Sequence, residues 1–107
     1  MLRIVDVIVE LIRAVAPLVD AIGRHDRALA GQLRDALNSA LLNTAEASDQ
    51  RGARRTNQYC MALGSARESF VAFRAAEAWR YIGPLPADVI DRFNRIIGTL
   101  VRVVARR

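Results

Sequence analysis

Polar residues recur every three or four positions through the first part of the chain, and almost every position between them is apolar. This spacing predicts an amphipathic helix over residues 2–22 with a narrow solvent-facing stripe. Pro17 falls on that stripe, where water can solvate the freed carbonyl, so we expect a bend there rather than a helix end. The polar or tolerant positions of the stripe are Arg3, Asp6, Glu10, Arg13, Pro17 and Asp20.

Three further segments repeat apolar residues at helical spacing, and short polar or Pro/Gly-rich stretches separate them. They predict helices over residues 27–47, 53–81 and 87–105, with Asp26 as a cap and residues 83–86 as a sharp stop. Long helices joined by a few residues pack as antiparallel neighbours. We therefore expect one domain over residues 1–107, an all-α, up-down-up-down antiparallel four-helix bundle.

The apolar faces of the predicted helices are wider than one bundle needs. Helix 1 is polar over a small part of its circumference, and Leu42 and Leu63 lie off the predicted core stripes. A contiguous exposed apolar patch usually marks a protein interface, although deep burial of helix 1 would also explain the pattern. We expect a homo-oligomer whose interface includes Val5, Val9, Ile12, Leu42 and Leu63.

Charge is distributed unevenly along the chain. All 16 basic residues are Arg, and the net charge is +5. Residues 1–50 carry 5 Arg and 7 acids, whereas residues 51–107 carry 11 Arg and 4 acids. The predicted topology collects many of these arginines at one end of the bundle: Arg3, Arg51, Arg54, Arg55, Arg102, Arg106 and Arg107.

These seven arginines have two interpretations, and the first is that they contact nucleic acid. The planar guanidinium suits phosphate, and three of the seven adjoin the N-terminus of helix 3, where the helix dipole disfavours cations. A solvated charged rim would give the same pattern. The functions left in competition are a nucleic-acid-binding or ribonucleoprotein accessory subunit and a protein-binding scaffold or adaptor without nucleic-acid contact.

Residue types suited to catalysis are scarce. We expect His25, the single histidine, in the turn after helix 1, and Cys60, the single cysteine, as a small buried hydrophobe on helix 3. Neither Glu46 nor Glu68 is followed three residues later by His, as a di-iron bundle requires. We predict a non-enzymatic protein with no catalytic residue, metal site or cofactor. Charges interrupt each apolar run, so we also expect no membrane span and a cytoplasmic location.

The middle of the chain resembles the four-helix-bundle protein family whose founding members are encoded in intervening sequences of bacterial large-subunit ribosomal RNA genes. The likeness spans residues 32–82, and four residues in it depart from the family pattern: Leu41, Thr44, Ala47 and Arg80. The matching residues are Gln32, Leu33, Arg34, Asn43, Ala45, Glu46, Tyr59, Ala62, Leu63, Gly64, Ser65, Glu68, Tyr81 and Ile82.

The resemblance implies a cytoplasmic, non-enzymatic homo-oligomer, typically a pentamer. A related branch, the accessory variability protein of diversity-generating retroelements, has the same architecture and binds a reverse transcriptase and nucleic acid. RNA or DNA, and a reverse transcriptase or another larger protein, are therefore the partners that this likeness implies.

Overall fold

The computed structural model describes residues 3–106, and these residues form four α-helices and no strand. The helices are α1 (Ile4–His25), α2 (Arg27–Ala47), α3 (Gly52–Ala78) and α4 (Ala87–Ala105). Each packs on its neighbours in sequence, and α1 also packs on α4, which closes the four helices around one core. This is the all-α four-helix bundle that the sequence predicts. Residue 2, where the first helix was predicted to begin, and Arg107 lie outside the described residues.

The connection between α1 and α2 is shorter than predicted, because residues 23–25 continue α1 instead of forming a turn. Asp26 alone separates the two helices. Its carboxylate accepts a hydrogen bond from the Leu29 amide at 2.9 Å, which confirms the predicted N-cap. Pro17 is exposed and the helix continues through it, also as predicted.

α3 ends three residues before its predicted end. Arg80 adopts a left-handed backbone with a φ of 64°. The Tyr81 amide donates to the Ala76 carbonyl at 2.9 Å, and the Arg80 amide donates to the Glu77 carbonyl at 2.9 Å. These two bonds form a Schellman stop, a motif that usually places Gly at the left-handed position. The helix therefore stops at Arg80 and not at the Gly/Pro segment.

Glu77 ties the connection between α3 and α4 to the bundle. Its Oε2 accepts a hydrogen bond from the Leu85 amide at 2.8 Å. Its Oε1 lies 2.9 Å from Arg74 Nε, an ion pair that lacks the alignment of a hydrogen bond. Leu85 is buried against the core, so the connection is packed as well as hydrogen-bonded.

The core is built from the apolar positions that the helical periodicity selects, with one correction. Leu63 was predicted to lie in an oligomer interface, but it is only 9% exposed and belongs to the core. α3 packs on both α2 and α4, so the sector that it buries is wider than the stripe read from the sequence. Along the described helices, none has the length and apolar character needed to cross a membrane.

Candidate nucleic-acid interface

One end of the bundle combines the start of α1, the end of α2, the start of α3 and the end of α4. Arg3 lines a surface depression together with Ser48 and Asp49 from the end of α2. Arg55 and Arg106 line a second depression, which joins the start of α3 to the end of α4. The fold thus brings together six of the seven arginines singled out from the sequence. We call this surface the Arg end: Arg3, Arg51, Arg54, Arg55, Arg102 and Arg106.

The positive charge of the Arg end is not neutralised by ion pairs within residues 3–106. All six of its arginines are exposed, and the ion pairs formed in that range lie elsewhere on the molecule. The acids at this end are Asp6, Glu46 and Asp49, which are exposed as well. Positive charge therefore exceeds negative charge twofold here, by six arginines to three acids.

The start of α3 increases the attraction for an anion. It has no side-chain cap and no acidic residue in its first turn, so its amide groups and the positive end of its dipole stay unneutralised by side chains. Gly52 begins the helix with a φ of 59°, a conformation that disfavours any side chain. Arg54 and Arg55 follow within that turn. A phosphate at this point would meet both the guanidinium groups and the helix amides.

Arg55 rests on an aromatic ring. Its Cζ lies 5.3 Å from the centroid of the Tyr59 ring, within cation–π range. Tyr59 is itself 6% exposed, so the core fixes the ring on which Arg55 rests. This contact positions the guanidinium without cancelling its charge.

Cys60 and His25, the two residues whose types suit catalysis, lie far apart. Cys60 was predicted to be buried, but it is exposed, because it points away from the core side of α3 where Tyr59 and Leu63 lie. It lines the depression that contains Arg55 and Arg106. His25, predicted in a turn, is the last residue of α1 and therefore lies at the opposite end of a molecule 42 Å long.

Glu46 and Glu68, the two acids compared with di-iron carboxylates, are both exposed. In the part of the chain that the structure describes, no three His, Cys, Asp or Glu side chains lie close enough together to hold a metal ion.

Four of the five residues predicted for an oligomer interface keep exposed apolar surface. Val5, Val9 and Ile12 are half-buried and follow one line along α1, since their spacing is four and then three residues. Leu42 is 59% exposed on α2. We call Val5, Val9, Ile12 and Leu42 the apolar stripe.

No protein-family model, curated protein or solved structure matches this chain.

Sequence reasoning missed one surface at the end opposite the Arg end. The His25 and Tyr81 rings are stacked, with centroids 5.2 Å apart and an interplanar angle of 9°. Trp79 lies nearly parallel to Tyr81, at 6.5 Å and 18°. The aromatic residues in the run 79–81 are visible in the sequence. The stacking of Tyr81 on His25, however, depends on where α1 and α3 end. We call His25, Tyr81 and Trp79 the aromatic stack.

Proposed function

We propose that this protein is a non-enzymatic, homo-oligomeric four-helix bundle that binds nucleic acid through its Arg end, as an accessory subunit of a cytoplasmic ribonucleoprotein. The observation that supports this most strongly is the set of six exposed arginines gathered from four helix termini, none of them ion-paired within the described chain. Like charges gathered at one end of the bundle repel one another, and a chain of phosphates would relieve the repulsion. The resemblance to the ribosomal-intervening-sequence family supports a non-enzymatic homo-oligomer, and its related branch, the accessory variability protein of diversity-generating retroelements, supports nucleic-acid binding.

Phosphate contacts should dominate recognition at the Arg end. Tyr59 is the aromatic residue nearest to these arginines along α3, and it is buried beneath Arg55, so it offers no face for a nucleobase. Arginine–phosphate contacts position a nucleic acid but carry little sequence information. We therefore expect binding that is weakly sequence-selective and strongly dependent on salt.

The wild-type protein should bind both single-stranded and duplex oligonucleotides at low salt. If about six phosphates are neutralised, the affinity for a duplex should fall by about a thousandfold or more between about 50 and 200 mM salt, because each neutralised phosphate releases counterions. Fluorescence anisotropy of a labelled oligonucleotide measures both quantities.

A wild-type protein that binds neither form at low salt would favour the alternative, a scaffold or adaptor for a larger enzyme such as a reverse transcriptase. The exposed Met61 and Val71 on α3 would suit a protein partner of that kind.

The homo-oligomer is proposed from the apolar stripe. Ile12 packs on the core along one side, while it also lines an open depression between α1 and α2 with Ala16 and Leu37. Val5 lines a second depression between the same two helices, near Ala45. A second copy covering this face would remove apolar surface from water. The likeness to the family suggests a ring of five, in which the Arg ends of all subunits would share one face and act together.

Val9→Asp should therefore dissociate the oligomer, because an unpaired carboxylate buried between subunits is costly. Val71→Asp is the matched control, since it introduces the same carboxylate at a 65% exposed position on α3. Light scattering should give an oligomeric mass for the wild type and the control, and a monomeric mass for Val9→Asp. A monomeric wild type would contradict the proposed self-association.

A further inference from the structure

The aromatic stack leaves most of its outermost ring open to solvent. Trp79 is 70% exposed, although it lies beside Tyr81, which in turn stacks on His25. The rings come from two different helix ends, since His25 closes α1 and Trp79 and Tyr81 follow α3. These three near-parallel rings form an aromatic platform at the ends of two helices, and its outermost indole has a face left for a further planar partner.

Three exposed arginines lie at the same end of the bundle as this platform. Arg24 precedes His25, and Arg80 lies between Trp79 and Tyr81 in the chain. Arg24 also lines a depression with Arg27 from the first turn of α2. None of the three forms an ion pair within residues 3–106.

Most acidic residues at this end already face an arginine, while Asp91 on α4 is exposed and forms no ion pair within residues 3–106. Asp26 caps α2 through the Leu29 amide. Glu77 binds the Leu85 amide and faces Arg74. Asp20 lies 3.3 Å from Arg34, and Asp88 lies 3.9 Å from Arg92. Arg24, Arg27 and Arg80 outnumber Asp26 and Asp91, the two acids here that have no arginine partner, and this small positive excess is complementary to phosphate.

Backbone strain at Arg80 is an independent sign that this surface has a role. A non-glycine residue in the left-handed region costs on the order of 1 kcal/mol, and Gly would make the same helix stop without that cost. The strained residue carries a guanidinium and lies in the chain between the two aromatic residues that follow α3. Strain of this kind is concentrated at functional sites.

We infer that the aromatic stack, with Arg24, Arg27 and Arg80, is a second nucleic-acid site, specific for single strands, in which an unpaired nucleobase stacks on Trp79. Sites for single strands combine positive charge along the backbone with aromatic faces for the bases. A duplex cannot use this platform, because its bases are already stacked on one another. The inference does not depend on the Arg end, which lies at the other end of the 42 Å bundle.

The fluorescence of Trp79 tests the inference directly, since Trp79 is the single tryptophan of the chain. Oligo(dT) added to the wild-type protein at low salt should quench this fluorescence, and a duplex of equal length should bind without quenching it. Trp79→Leu should weaken oligo(dT) binding by about tenfold, measured by anisotropy, and leave duplex binding unchanged. Trp79→Phe should restore most of the lost affinity, because it restores an aromatic face.

A structural role for Trp79 would give a different result. In that case Trp79→Leu would change the helical circular dichroism signal or weaken oligo(dT) and duplex binding equally, and the inference would be wrong. Oligo(dT) that binds without quenching Trp79, and binds Trp79→Leu as tightly as the wild type, would also overturn it while leaving the Arg end in place. Quenching that persists when Arg51, Arg54 and Arg55 are replaced by Gln would show that the two sites act separately. If neither oligo(dT) nor the duplex binds, both proposals are wrong, whereas a protein that binds the duplex but not oligo(dT) contradicts this inference alone.

Discussion

Replacing Phe93 by Ala should lower the free energy of unfolding by about 3–5 kcal/mol, the largest loss of stability that we expect from a single substitution. Phe93 is fully buried on α4, and its ring meets two aromatic rings of α3 edge to face. The centroid distances are 5.2 Å to Phe70 and 5.9 Å to Phe73. The substitution leaves a cavity between α3 and α4 and also removes both aromatic contacts.

Two matched variants show whether the loss comes from the core. Phe93→Leu keeps most of the volume and should cost less than Phe93→Ala. Val71→Ala removes apolar atoms from a 65% exposed position and should change the unfolding free energy by less than about 0.5 kcal/mol. Urea denaturation at one fixed protein concentration measures all three, because self-association would make stability depend on concentration. A loss below about 1 kcal/mol for Phe93→Ala would contradict the packing described here.

The helices were predictable because their apolar residues repeat clearly and short breaks separate them. The two misplaced ends had local causes that the periodicity does not encode. α1 keeps residues 23–25 because the Asp26 cap can start α2 with a single residue between the helices. α3 ends early at a left-handed Arg80, a residue type that is rarely expected at a helix stop.

The Arg end was predictable because topology alone decides which helix termini meet. Side-chain orientation on α3 was less accessible to sequence reasoning. Leu63 and Cys60 were assigned to the wrong environments because the buried sector of α3 depends on contacts with two neighbouring helices. The alignment of His25 with Tyr81 required both helix ends to be known, so no sequence pattern contained it.

Replacing Arg51, Arg54 and Arg55 together by Gln should give the largest functional loss. If each of the three neutralises one phosphate of a duplex, their removal lowers the slope of log affinity against log salt by about 2.7. Because the counterion contribution vanishes near 1 M salt, such a change in slope corresponds to duplex binding weaker by about three thousandfold at about 50 mM. All three residues are exposed, so the helical content and the oligomeric mass should be unchanged.

The matched control removes the same charge from other surfaces of the bundle. Arg13, Arg67 and Arg95 are exposed on α1, α3 and α4, away from the Arg end. Their joint replacement by Gln lowers the net charge equally, so it separates the effect of overall charge from that of a local site. The only described ion pair it breaks is the solvent-exposed contact between Arg13 and Glu10, which contributes little to stability.

The salt dependence of duplex binding by these two triple variants tests the central proposal most directly, because a duplex does not use the aromatic stack. Duplex affinity should be measured for both variants and the wild type across about 50 to 200 mM salt. We predict a clearly flatter slope and weaker binding for the Arg51, Arg54 and Arg55 variant, with the control close to the wild type. Equal slopes for the two variants would contradict a nucleic-acid site at the Arg end.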